Sequence, residues 1–172
     1  SMFTAIVITG AIGLGPIEEI AKALSGEIQL LAVCGKNKRL YKRLRAFAKQ
    51  GVSSLKPFPL IDYVDDLMSV ADAVVTKAGG LTITESLAKG LPMVFFSNIP
   101  GLESANARVL EENGCAFDTA GIEEIKQRVL FLKNNPAFYR ETVSCITRFR
   151  NSQTLMAIAT EIKNILTCCG EM

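Results

Sequence analysis

Ala73-Val74-Val75-Thr76-Lys77-Ala78-Gly79-Gly80-Leu81-Thr82-Ile83-Thr84-Glu85 runs from an uncharged, β-branched stretch through a glycine pair into a helical stretch. Ala73–Thr76 reads as a strand buried on both faces. Thr82–Lys89 reads as a helix closed by Gly90. Strand, tight turn and helix in succession form the repeating unit of a parallel sheet.

The same grammar extends both ways. Upstream, Phe3–Thr9 is a strand, Ile17–Leu24 a helix opened by Pro16, Ile28–Cys34 a strand, Lys36–Lys49 a helix, Val52–Pro57 a weak strand and Asp65–Val70 a short helix. Downstream, Pro92–Phe96 is a strand, Glu103–Asn113 a helix stopped by Gly114, and Cys115–Phe117 a short strand. Three helices, Ile122–Lys133, Pro136–Thr147 and Ser152–Thr167, complete the reading. About six strands alternating with helices predict an α/β fold, a doubly wound parallel sheet in one domain, with right-handed crossovers. Such sheets bind ligands beyond the carboxyl ends of their strands, at the point where strand order reverses. The loops Thr9–Gly15, Pro57–Val64, Lys77–Thr82 and Ser97–Asn106 are therefore the places to look for function.

Composition narrows the chemistry. The chain has 172 residues, 49% of them hydrophobic and 21% charged, which excludes a disordered or fibrous protein. No apolar run reaches the roughly 18 residues that suggest a membrane span. With no histidine, the chain carries neither a Ser-His-Asp triad, nor a Cys-His dyad, nor a His-ligated zinc site. The net charge of +2 is too balanced for nucleic acid to be the main partner. Its distribution is uneven: Lys36–Lys49 holds seven bases and no acid. Leu40, Leu44 and Phe47 make one stripe of that helix, so it reads either as a sheet-packing helix with a solvated basic face or as a contact for an anionic membrane. Cys34, Cys115, Cys145, Cys168 and Cys169 are odd in number and lack C-x-x-C spacing, which argues against a disulfide framework or a zinc knuckle and for reduced thiols in the cytosol. No secretory signal is visible, and Ser1-Met2 reads as a cloning remnant.

The glycine loops carry the chemistry. Gly10, Gly13 and Gly15 do not match G-x-G-x-x-G, and no Lys-Ser/Thr follows them, so the loop is not a P-loop. A glycine turn feeding a helix start still favours anions, although an ordinary flexible turn fits as well. Gly79-Gly80 lets a backbone approach a ligand closely, and the helix after it offers free amides to a diphosphate. Glu85 suits a vicinal diol such as ribose. Thr82-x-x-Glu85 is equally a capping box, and the residues alone favour the cap. Glu103, in a first helical turn, reads as a dipole-matched acid.

Taken together, Gly10-Ala11-Ile12-Gly13-Leu14-Gly15-Pro16, Val33-Cys34-Gly35-Lys36-Asn37, Asp72–Glu85, Gly90-Leu91-Pro92 and Pro100-Gly101-Leu102-Glu103 through Asn106 resemble the C-terminal, donor-binding domain of a GT-B glycosyltransferase. The branch is that of the processive diacylglycerol glucosyltransferases, the monogalactosyldiacylglycerol synthases and MurG. The likeness covers about residues 4 to 118.

The resemblance implies a UDP-sugar donor, hexosyl transfer to a lipid acceptor, no cofactor and no metal. It implies that Gly10, Ala11 and Gly13 lie by the phosphates, with Gly79, Gly80, Leu81 and Thr82 closing on them. Glu85 matches the acid on the ribose hydroxyls, which favours the ligand reading of that residue over the cap, with both roles compatible. Leu60 and Ile61, with Val64 at the end of the same loop, match the uracil site; Leu60 stands where relatives have a ring and keeps only an apolar face. Leu102 and Glu103 match the sugar site, with Leu102 in place of a glutamine. Ala11 and Ile12 replace more polar residues, which leaves mainly backbone amides for phosphate.

The resemblance assigns the acceptor site and the catalytic base to an N-terminal half. This chain then reads as an excised domain or as one subunit of a split enzyme, inactive alone, cytoplasmic and peripheral on the inner membrane face. A non-catalytic nucleotide-sugar or partner-binding module is the alternative. A UDP-sugar epimerase is a further one, weakened by the absence of histidine.

Overall fold

The computed structural model describes residues 2–96 and 102–152. In chain order the elements are β1 (Thr4–Ile8), α1 (Ile17–Leu24), β2 (Gln29–Val33), α2 (Lys38–Lys49), β3 (Leu55–Phe58), α3 (Val64–Ser69) and β4 (Ala73–Thr76). They continue with α4 (Gly80–Lys89), β5 (Met93–Phe96), α5 (Leu102–Glu112), β6 (Ala116–Thr119), α6 (Ile122–Asn134) and α7 (Pro136–Ser152).

The six strands form one parallel sheet in the order β3-β2-β1-β4-β5-β6. The order reverses between β1 and β4, so the turns leaving these two neighbours lie side by side. β1, β4 and β5 are buried along their whole length. Alternation sends Ala5, Val7, Leu30 and Val75 to one face, where they pack with residues of α1, α2 and α6. Ile6, Ile8, Leu31 and Val74 go to the other face, with Met68 of α3, Ile83 of α4 and Leu110 of α5. α7 spans both layers: Tyr139 packs on the first cluster and Ile146 belongs to the second. Pro57 sits in β3 at the sheet edge, where a strand tolerates a missing N–H.

The structure corrects three boundaries that bear on the site. α2 begins at Lys38 instead of Lys36, because the Asn37 side chain accepts the Leu40 N–H at 3.0 Å and caps the helix. α4 begins at Gly80 instead of Thr82, with Gly79 as an extended N-cap. Thr82 thus lies inside the first turn, Glu85 lies beyond it, and the capping box does not form. α7 continues through Ser152 with no break at Thr147. The rest of the predicted Ser152–Thr167 helix, the Pro100-Gly101 turn, Cys168 and Cys169 lie outside the described residues.

Candidate functional site

The first loop is built by interlock. Gly13 has φ +68°, and a Cβ on it would overlap the Cys34 carbonyl oxygen. Gly35, at φ +57°, also approaches Ala11 closely: a Cβ there would lie 2.5 Å from the Ala11 carbonyl oxygen. Two hydrogen bonds join the turns and a third steadies the second turn itself. The Lys36 N–H donates to the Ala11 carbonyl at 2.8 Å, the Asn37 Nδ2 donates to the Gly13 carbonyl at 3.2 Å, and the Asn37 N–H donates to the Cys34 carbonyl at 3.1 Å. The β1–α1 and β2–α2 turns thus form one rigid unit. Cys34 is fully buried beneath it, and burial pushes its thiol up to about 11, as suits a packing residue.

The second loop is tied down from α5. The Asn106 Nδ2 donates to the Ala78 carbonyl at 3.1 Å, and the Lys77 Nζ meets Glu103 Oε1 at 2.6 Å. No side chain caps α4, so its first-turn amides, those of Gly80, Leu81 and Thr82, have no partner within the helix. Leu81 is 76% exposed beside them. Gly80 has nothing within 4 Å of an added Cβ and faces a groove of about 260 Å³ between α4 and α5.

The two loops meet. A pocket of about 500 Å³ is lined by Gly10, Ala11 and Ile12 from one turn and by Lys77 from the other, with Thr9 and Phe96 behind them. Of the predicted donor residues, Gly10 and Ala11 form its wall, Glu103 reaches it through Lys77, and Gly79 lies below the Lys77–Glu103 pair. Gly13 is turned away toward Cys34. Leu60, Ile61 and Val64 form a wing that does not line this pocket: Ile61 and Val64 pack on the second core cluster, while Leu60 is half-exposed. Glu85 shares its helix face with Leu81, Thr82 and Lys89. Lys89 pairs with Asp65 of α3 at 2.8 Å, so that face looks toward α3. Glu85 makes no hydrogen bond or ion pair among the described residues. Of Leu102 the structure describes only the backbone, at the start of α5.

Two contributors escaped the sequence reading. Lys77 stands inside the quoted motif without a role, and Asn106 marks only its end. A lone base at the mouth of a glycine turn was the available signal for Lys77. A second pocket, of about 560 Å³, lies on α6 among Glu123, Gln127 and Arg128 and shares no residue with either loop. Among the described residues, no group of three or more His, Cys, Asp or Glu is placed to hold a metal ion.

The sheet order is that of a doubly wound, Rossmann-like domain, and solved glycosyltransferases share its fold. WaaG, a glycosyltransferase involved in lipopolysaccharide biosynthesis, superposes with a TM-score of 0.71 at 18% identity, over 96% of this chain and 47% of that one. The Medicago truncatula protein UGT71G1, solved with UDP-glucose, gives 0.70 at 16% identity, over 94% and 40%. The family is narrower than the fold. The model of the glycosyltransferase family 28 C-terminal domain matches residues 15–153, and the chain belongs to that family. It is 29% identical over 168 residues to a processive diacylglycerol beta-glucosyltransferase of Bacillus pumilus, covering 94% of this chain and 44% of that protein. Against the Bacillus subtilis protein of the same name the identity is 33% over 130 residues, covering 74% and 34%. The chain spans less than half the length of these curated relatives.

Proposed function

We propose that this domain binds a UDP-sugar across the carboxyl ends of β1 and β4 and serves as the donor half of a hexosyltransferase that builds glycolipid. The observation that carries this reading is that the Gly10–Ala11 turn and Lys77, the first residue of the β4–α4 turn, line one pocket at the strand-order reversal. The diphosphate lies against the Gly10 and Ala11 backbone and the free amides of α4, where the helix dipole favours negative charge. Uracil lies on the Leu60–Ile61–Val64 wing, with Glu85 reaching the ribose hydroxyls between the two. Glu103 faces the sugar. Transfer displaces UDP from the anomeric carbon, and amides aimed at the leaving diphosphate stabilise the charge that develops there.

The acceptor, of the diacylglycerol type that the relatives' names indicate, is held by a second domain or a partner chain that also supplies the catalytic base. Alone, this domain binds donor without turnover. It works in the cytoplasm, at the inner membrane face. No helix among the described residues is long and apolar enough to cross a membrane. α2 buries Leu40 and Leu44 in the core, so membrane attraction through it would rest on its exposed bases and weaken with salt. Liposome co-sedimentation across a salt series reads that directly; binding indifferent to lipid charge would remove the membrane role.

Calorimetric titration with UDP, UDP-glucose, UDP-galactose and UDP-N-acetylglucosamine tests the donor assignment. Saturable 1:1 binding of UDP and of at least one UDP-sugar is expected. No heat with any of the four contradicts it.

A further inference from the structure

We propose that Lys77 supplies the positive charge that holds the donor's diphosphate and, while doing so, positions Glu103 beside the sugar; this rests on the donor-binding reading above. Lys77 is the first residue beyond β4, and among the described residues it is the only charged one lining the pocket whose opposite wall is the Gly10–Ala11 backbone. A nucleoside diphosphate brings at least two negative charges. A helix terminus offers only about half an elementary charge against them. A cation in the pocket is the missing complement.

The geometry suits a shared cation. Lys77 Nζ sits 2.6 Å from Glu103 Oε1, and an ammonium has three donors, which leaves two for phosphate oxygens. Glu103 is thereby held through one oxygen. Its Oε2 is buried without a hydrogen-bond partner, and so is the Thr9 hydroxyl next to Gly10. These are the two buried side-chain oxygens in that condition among the described residues, and both belong to residues at this pocket or tied to it. Buried polar atoms normally find partners, and two orphans in one place mark where a polar ligand completes the network. Gly79 leaves room for the arrangement: a Cβ on it would lie 3.7 Å from Lys77 Cε and 3.9 Å from Glu103 Oε1.

The test is calorimetric titration of the intact chain with UDP, uridine and inorganic pyrophosphate, for the wild type, Lys77→Met and Lys77→Arg. The wild type is expected to prefer UDP to uridine. Lys77→Met should lose at least about tenfold in UDP and pyrophosphate affinity, the scale of one charged hydrogen bond, while uridine affinity stays unchanged. Lys77→Arg should recover part of the loss. Unchanged uridine binding reports an intact fold, and Lys77→Gln reads the same difference should the Met variant not fold. A Lys77→Met protein that keeps the wild-type preference for UDP over uridine overturns this inference and leaves the donor site standing. A wild type that binds neither UDP nor pyrophosphate overturns both.

Discussion

The β1–α1 and β4–α4 turns each follow a buried strand and each carry glycines, yet a Cβ on Gly13 would overlap the Cys34 carbonyl oxygen, whereas one on Gly80 meets nothing within 4 Å. The first turn uses glycine to lock onto its neighbour. The second leaves Gly80 facing open space, and the first-turn amides of α4 have no partner within the helix. One side of the cleft is thus a fixed wall, and the other is a set of unpaired donors and a shared cation. Glycine therefore has two distinct physical meanings in these two turns, and substitution separates them.

The largest effect is expected at the wall. Gly13→Ala combines a left-handed backbone with a backbone overlap that no side-chain rotation relieves. It should cost about 4 kcal/mol or more, read as a lowered urea midpoint or loss of folded protein. If Gly13→Ala is as stable as the wild type, the interlock is not what holds the turn. On the other side, Glu85→Ala should weaken UDP by about 1–3 kcal/mol, since a buried diol loses its acceptor. Its melting temperature should not move, because the side chain has no partner among the described residues; a drop in melting temperature with UDP affinity intact would make Glu85 structural after all.

Gly79→Val comes next. Its φ of −80° suits any residue, but the γ-methyls press on the Lys77–Glu103 pair. UDP-sugar affinity should fall by about tenfold, with a stability loss near 1 kcal/mol from the poorer N-cap. The smallest effect lies behind the wall, where Glu18 of α1 meets Lys22 at 3.0 Å and Arg43 of α2 at 2.8 Å. The hydrogen bond from Lys22, with Arg43 nearby, lowers the Glu18 carboxyl below its ordinary value. Because the folded value is the lower one, the stabilisation is whole at neutral pH and is lost as pH falls through it. Glu18→Gln should therefore cost less than about 1 kcal/mol at pH 7 and nothing at strongly acid pH, measured by urea unfolding at both.

Much of this contrast was invisible in the sequence. The strands and most helix boundaries follow from uncharged β-branched runs, Gly90 and Gly114 stops and Pro16, all local signals. The start of α4 was misread because Thr82-x-x-Glu85 satisfies the capping pattern, while the extended backbone that makes Gly79 the N-cap leaves no side-chain mark. Asn37 was a legible cap, passed over because the run of bases around it reads as continuous helix. Gly13 reads as room for a ligand, since nothing nearby in sequence announces Cys34 at the end of the neighbouring strand β2. Lys77 went without a role for the same reason: its partner Glu103 lies 26 positions away and is brought in by α5.

The convergence of both turns on one diphosphate is tested most directly by following backbone amide resonances of the 15N-labelled chain as UDP is added. The largest shifts should fall together on Gly10–Ala11 and on Gly80–Thr82, and uridine alone should leave both groups nearly still. Shifts confined to one turn, or centred on Glu123–Arg128 of α6, would contradict the account.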